Sequence, residues 1–354
     1  MRTPETRAQP IPLVYHFTGA EIPGWALVTL GHSGKNWPGP VYFLHDRKAF
    51  VPPRGVISVQ LDGWYDPKPF QSFAEKFARP RDFRDGFWFH AIERFFVLSQ
   101  WAKFAEQSRF LHTELDVVLM GHNTLIGVLP RSPQGVMYPR ASDENAGANV
   151  LYVNGEDSLL PLVDYFLSRS GDEFEMRLLA KFLDEHPEQG IALPSHVNLG
   201  RNAYRSSSLN HMQPGSLGGV VDVHPLGTWM FGQDPRNEKY GSVFNHYYYP
   251  LIGSEDLREM KFRFHWSSKQ LFVTGLDKTE WPVFALHIHS KVMRRAHSRI
   301  GMWAYSLLAN RERRTLVILQ NVHRRPLAGL QLLIDRFYRG IVRPLRGSRR
   351  HDRR

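Results

Sequence analysis

Glu114 and Asp116 stand two residues apart inside an apolar run, Phe110 to Met120, with the sequence FLHTELDVVLM. In an extended chain, residues i and i+2 project to the same side, so both carboxylates would face one point. The flanking Phe110, Leu111, Val117, Val118, Leu119 and Met120 read as one strand largely buried in a sheet, with the acids at its end. Two like charges converging there favour a cation between them. Oxygen ligands of this kind suit Mg²⁺ or Mn²⁺, which keeps several waters and shares its remaining positions with substrate phosphates. The same spacing also fits two solvated acids at a strand end, so the rest of the chain has to decide.

Three other stretches carry chemistry. In Val283 to Lys291, VFALHIHSK, His287 and His289 share one side of a strand and Lys291 follows on that side. A His-x-His pair can hold a metal and an adjacent Lys suits a diphosphate, although paired histidines on a strand are also structural. In Val220 to Asn237, VVDVHPLGTWMFGQDPRN, the residues Asp222, His224, Trp229, Gln233, Asp234 and Arg236 lie among glycines and prolines. Aromatic rings beside Asp and Gln suit a sugar, whose faces stack on rings and whose hydroxyls need donors and acceptors; an ordinary turn-rich loop has the same composition. Finally, Arg94 is the one strong base in the aromatic middle of Phe87 to Glu106, FWFHAIERFFVLSQWAKFAE, and reads equally as an ion-paired structural arginine or a phosphate ligand.

These residues need elements to position them. Ile11 to Phe17 predicts a strand that ends at the turn Thr18-Gly19, followed by a helix from about Pro23 to Gly31. Val41 to His45 and Val56 to Leu61 predict two more strands, ending at Asp46 and Asp62. Strands alternating with helices argue for a mostly parallel sheet that binds its ligand beyond the carboxyl ends of the strands, where Thr18, Gly19, Asp46 and Asp62 would cluster. The apolar spacing of Phe87 to Glu106 predicts a buried helix leading into the acidic strand. Gly135 to Arg140 reads as a loop and short strand, Asn149 to Asn154 as a strand, and Glu156 to Ser168 and Glu173 to Leu183 as scaffold helices. Pro194 to Gly219, rich in Ser, Asn and Gly, predicts a mobile loop able to cover a site.

With 354 residues and 42% hydrophobic content, the chain can close a large core. It has no Cys, which excludes disulfides, thiolate catalysis and Cys-ligated zinc and fits a reducing compartment. The stretch MRTPETRAQP has no apolar core of a signal segment, and no later run approaches a membrane span, so a cytoplasmic chain is expected. The net charge of +11 is concentrated at one end. Residues 311–354 hold 13 Arg and three acids, a net +10, leaving 32 bases against 31 acids elsewhere. The basic isoelectric point is thus no sign of a nucleic-acid-binding surface on the body, and no nucleic-acid partner is expected. Within that end, Leu330, Leu333, Ile334, Phe337 and Ile341 recur at helical spacing among arginines. Such an amphipathic helix could lie on an anionic membrane or pack on the body of the protein.

The order of these features resembles the nucleotide-sugar glycosyltransferases of the GT-A fold. The resemblance spans roughly Ile11 to Lys291 and rests on the strand-turn-helix opening, the helix before Glu114-Leu115-Asp116, the acidic loop, and the late His and Lys. It implies an α/β fold with a GT-A-like, Rossmann-type, mostly parallel central sheet flanked by helices, over residues 8–300, with a basic helical extension at 301–354. In the family an Asp-x-Asp-type motif holds a divalent metal against the donor diphosphate and a late His often completes the site. Here the motif has Glu first. Glu114, Asp116 and one of His287 and His289 would hold Mn²⁺ or Mg²⁺; Thr18, Gly19, Asp46, Arg94, Glu114 and Lys291 would bind the donor; Asp234 or Asp222 would be the base. The implied activity is hexosyl transfer from a nucleotide-sugar to a saccharide or lipid-linked acceptor, in polysaccharide or glycoconjugate synthesis. A metal-dependent hydrolase or phosphatase would use the same ligands and is the first rival expectation; a nucleic-acid-binding protein using its basic tail is the second.

Overall fold

A computed structural model of the chain describes residues 10–19, 21–78, 80, 81, 83, 86–129, 134–141, 144–169, 171, 173–195, 217–231, 263–267, 270–274, 278–288 and 291–310. The first part alternates strand and helix: β1 (Leu13–Phe17), α1 (Gly24–Asn36), β2 (Val41–His45), β3 (Ile57–Gln60), α2 (Lys68–Lys76), α3 (Phe87–Phe104) and β4 (Arg109–Thr113). Next come β5 (Val117–Leu119), α4 (His122–Val128), β6 (Gly135–Pro139), β7 (Val150–Asn154), α5 (Leu160–Ser168), α6 (Glu175–Glu185) and β8 (Gly190–Leu193). The last part holds β9 (Val220–Val221), α7 (Pro225–Phe231), β10 (Arg263–Ser267), β11 (Gln270–Thr274), β12 (Glu280–His287), α8 (Met293–Ala296) and α9 (Arg299–Asn310).

Seven strands form the central sheet in the order β3-β2-β1-β4-β7-β6-β8. β4 and β6 each pair antiparallel with β7 and the other neighbours are parallel, so six strands run one way and β7 alone is reversed. The mixed α/β class with a mostly parallel sheet flanked by helices, expected from the sequence, is what the chain adopts. Alternation along the strands builds both faces. Val14, Phe110 and Leu151 join the core under α2, α3, α5 and α6, whereas Leu13, Leu111 and Tyr152 join the core under α1. The apolar stripe of α3 is buried at Phe89, Ile92, Phe95, Phe96 and Trp101, each side chain contributing about 1.5–3 kcal/mol by leaving water. Helix α1 runs five residues beyond Gly31, where the sequence suggested a stop. It can do so because Gly34 passes close against the next loop: a Cβ there would lie 2.6 Å from the Arg54 carbonyl oxygen.

The main departure from expectation concerns the acidic stretch. It is not one strand: β4 ends at Thr113 in the central sheet, and β5 starts at Val117 in a second sheet of order β10-β11-β12-β5, with β9 beside β12. Glu114, Leu115 and Asp116 form the turn between them, and Leu115 packs into the core while Asp116 is a buried polar group. An apolar run continues across the turn because both strands are buried, which is why the break is hidden in the sequence. Helix α9 crosses residue 300, the expected end of the main unit, with Met302 and Ser306 buried. The arginine-rich end and residues 196–216 of the covering loop expected at Pro194 to Gly219 lie outside the described residues. No described helix is long and apolar enough to cross a membrane.

Candidate functional site

The acidic turn is pinned from three sides. The Glu114 N–H donates to the Asn149 carbonyl at 3.0 Å, the Thr29 hydroxyl of α1 donates to the Leu115 carbonyl at 2.6 Å, and the Ile288 N–H after β12 donates to the Asp116 carbonyl at 2.7 Å. The last bond brings the end of β12 against the turn, so His287 meets both acids: its Nε2 lies 3.2 Å from Asp116 Oδ2 and 3.5 Å from Glu114 Oε2. Among the described residues, these three are the His and acid side chains whose ligand atoms all lie within 4.8 Å of one another.

The second nitrogen of His287 fixes what the first can do. Nδ1 sits 2.7 Å from the Val223 carbonyl, which can only accept, so Nδ1 carries a proton and donates it. In the neutral ring Nε2 then presents a lone pair to two carboxylate oxygens. Three electron-rich atoms facing one another call for positive charge: the Lys291 ammonium already meets Asp116 Oδ2, and a proton on Nε2 or a metal ion can supply more. Burial would push the imidazole down, but the Asp116 and Glu114 carboxylates outweigh it and raise its pKa to about 9. Burial would likewise raise Asp116, yet Lys291 and His287 hold it well below the usual carboxylate range. The set also fits a divalent ion. Ligands about 2.1 Å from an octahedral ion stand roughly 3 Å apart along an edge, close to the separations seen from His287, and two carboxylates with an imidazole suit Mg²⁺ or Mn²⁺.

Lys291 lies beside these side chains. Its ammonium contacts the same Asp116 Oδ2 and stands 5.3 Å from the ring centroid of Trp25 on α1. Its backbone has φ +58°, a left-handed conformation uncommon outside glycine. Of the two late histidines, His287 faces the carboxylates and His289 lies outside the described residues, as does Asp234.

Two assignments from sequence are corrected. Asp222 is not a free base: it is fully buried, and its carboxylate accepts four backbone N–H groups. Oδ1 takes those of His224 and Leu226, both at 3.0 Å; Oδ2 takes those of Gly227 at 2.9 Å and His287 at 3.2 Å. It caps α7 and ties that helix to β12, and burial, partly offset by these bonds, raises its pKa. Gly227 permits the tie, since a Cβ there would fall 1.8 Å from the His287 carbonyl oxygen. Arg94 is not placed to reach a diphosphate. Its guanidinium is buried and bonds Glu114 Oε1 with one amino group and Glu175 Oε1 with the other. Glu175, on the first turn of α6, escaped the sequence reading because a first-turn acid is ordinarily a surface charge.

The expected cluster beyond β1 and β2 exists in part. The Gly19 N–H approaches Asp46 Oδ2 at 3.4 Å, and the Thr18 hydroxyl donates to Glu93 Oε2 at 3.1 Å and lies 3.0 Å from His90 Nδ1. Asp62 instead accepts from the Gln60 amide at 3.3 Å. His90 and Glu93, one turn apart on α3, are further polar groups at this edge.

No protein-family model and no curated protein sequence matches the chain. Solved structures of GT-A-type glycosyltransferases share its α/β outline over roughly half its length. The glycosyltransferase GlyE of Streptococcus pneumoniae TIGR4 is 14% identical over 52% of this chain and 45% of its own, with a TM-score of 0.34. The galactosyltransferase LgtC, in complex with donor and acceptor sugar analogs, is 8% identical over 57% of this chain and 82% of its own, with a TM-score of 0.36. The bifunctional glycosyltransferase WbbM is 12% identical over 55% of this chain and 40% of its own, with a TM-score of 0.33. The chain thus spans less than half the length of GlyE and WbbM, and at these TM-scores the likeness is one of outline alone and supports no functional step.

Proposed function

We propose that the chain is a glycosyltransferase that moves a hexosyl group from a nucleotide-sugar to a saccharide or lipid-linked acceptor, with a divalent ion at the diphosphate. The observation that supports this reading is the convergence of Glu114, Asp116 and His287 beside the Lys291 ammonium. These three side chains would hold Mn²⁺ or Mg²⁺, which supplies positive charge where the leaving diphosphate develops its negative charge. Lys291, which contacts Asp116, would add a second positive charge beside the same leaving group. Thr18, Gly19 and Asp46, past the ends of β1 and β2, would receive the nucleoside side of the donor. Asp234 is the base candidate that remains, to take the acceptor proton if the anomeric centre inverts. The catalytic unit would cover residues 8–300, with 301–354 able to approach an anionic membrane surface.

Thermal stabilisation by UDP-, GDP-, CMP- and dTDP-sugars, with and without Mn²⁺, tests the donor. Asp116→Asn keeps the size and removes the charge, so Mn²⁺-supported donor binding and transfer should both be lost while the fold remains. Unchanged transfer in that variant removes the site. Products made in the presence of acceptors separate transfer from a hydrolase, which would release the sugar to water alone.

A further inference from the structure

Arg94 and Glu175 have no part in the proposed transfer, yet both sit behind one of its metal ligands. Arg94 is 6% exposed and spans Glu114 and Glu175 with separate amino groups. Burying a cation is costly unless it is paired, and here two carboxylates share it. The division of Glu114 is informative: Oε1 is taken by Arg94 and Oε2 faces His287 Nε2 at 3.5 Å. One oxygen anchors the side chain while the other is left for the ion. The planar fork of the guanidinium can bridge α6, α3 and the acidic turn in a single geometry, which a flexible ammonium cannot.

Charge is the second part of the device. Arg94 paired with Glu114 alone would cancel the negative charge that attracts a metal. Glu175 draws on the same guanidinium; burial, only partly offset by Arg94, raises its pKa to about 7, so above that pH the three groups together keep one net negative charge. We propose that Arg94 and Glu175 are positioning residues for the metal: Arg94 aims Glu114, and Glu175 keeps Arg94 from neutralising it. This role deepens the metal-assisted transfer proposed for the site and rests on it.

The two roles come apart in two substitutions. Glu175→Gln still offers Arg94 an acceptor oxygen, so the aim is kept and only the charge is lost. Arg94→Lys keeps the charge and loses the bridge. Outer partners of metal ligands typically change affinity by about 10–100-fold. The experiment is Mn²⁺ binding to the full chain above pH 7, where Glu175 is ionised, read from the electron paramagnetic resonance of free Mn²⁺, with melting temperatures alongside and Asp116→Asn as reference. Binding on the order of tenfold weaker in Glu175→Gln, with an unchanged melting temperature and a further loss in Arg94→Lys, is the expected result. If Asp116→Asn loses Mn²⁺ while Glu175→Gln stays within about twofold of the parent chain, the positioning role is overturned and the metal site stands. If the parent chain binds no Mn²⁺, or Asp116→Asn binds it equally well, the metal site itself is overturned and the positioning role goes with it. Should Arg94→Lys not fold, Glu175→Gln decides alone.

Discussion

Asp222→Asn separates a structural carboxylate from a catalytic one. The side chain has two oxygens and four donors, two on each oxygen at 2.9–3.2 Å. Asparagine can keep one oxygen in place, but its amide must then face two N–H groups, and donor meets donor. Hydrogen bonds to a charged group contribute about 1.5–3 kcal/mol each, so losing two costs about 3–6 kcal/mol. Removing a buried charge returns part of this, since burial disfavours the ionised form and raises the pKa of this group. A net loss of about 2–4 kcal/mol remains, a large share of the 5–15 kcal/mol that folded domains have. At about 2–4 °C per kcal/mol for a unit of this size, the melting temperature should drop by roughly 5–15 °C. Circular dichroism melts of the two chains measure it, with transfer assayed well below both transitions. Because His287 N–H is one of the four donors, weaker Mn²⁺ binding should accompany the drop. A melt within a degree of the parent, with transfer abolished and donor affinity intact, would refute this account and return Asp222 to the chemistry.

Other expectations arise from the site and its surroundings. Lys291→Met should tighten Mn²⁺ several-fold, because the ammonium and the ion compete for Asp116 Oδ2, while nucleotide-sugar affinity falls; equal loss of both in titrations would show that Lys291 only supports the fold. His287 has a folded pKa of about 9, above its ordinary 6.5, so its contribution to stability is complete below pH 6.5 and fades as pH rises toward 9. Urea denaturation in EDTA should show that decline in the parent chain and lack it in His287→Gln; superimposable profiles would exclude the charged imidazole. His32 on α1 stacks on His297 with ring centroids 4.2 Å apart, and burial and neighbouring histidines lower their pKa values to about 4 and about 3. Both must therefore take up a proton on unfolding at mild acidity, and stability should fall as pH drops below 6.5, by about 1.4 kcal/mol per pH unit for each proton. His297→Phe should reduce that slope by one proton, and an unchanged slope would show that the ring is already charged in the folded chain.

Much of the scaffold was legible because its signals are local. Val41 to His45 is β2 to the residue, since a short run of strand formers sits between Pro40 and Asp46. Phe87 to Glu106 is nearly α3, because eighteen residues of helical periodicity leave little ambiguity. The residues that converge were legible in kind, as acids two apart and a late His. What failed is long-range. The change of sheet at Leu115 leaves no mark in an apolar run that is buried on both sides of it. Asp222 looked like a base because its four partners are backbone groups, which every sequence possesses. The choice between an ion-paired and a phosphate-binding Arg94 stayed open because Glu175, its second partner, lies 81 residues away. The choice of His287 turns on the carbonyl of Val223, 64 residues distant, whose direction depends on the tie between α7 and β12.

The turn from Glu114 to Asp116 is also a joint. Glu114 is anchored through Asn149 just before β7, and Asp116 through Ile288 just after β12, so each acid is bolted to a different sheet. An ion gripped by both would act as a rivet between two plates, beside the bonds from Val221 N–H to the Pro194 carbonyl and from the Asn149 amide to the Asp222 carbonyl. Its hold would then gauge their alignment. A substitution deep under the second sheet, at Leu271 or Val283 for example, touches no ligand yet tilts one plate against the other, and the rivet registers the slip.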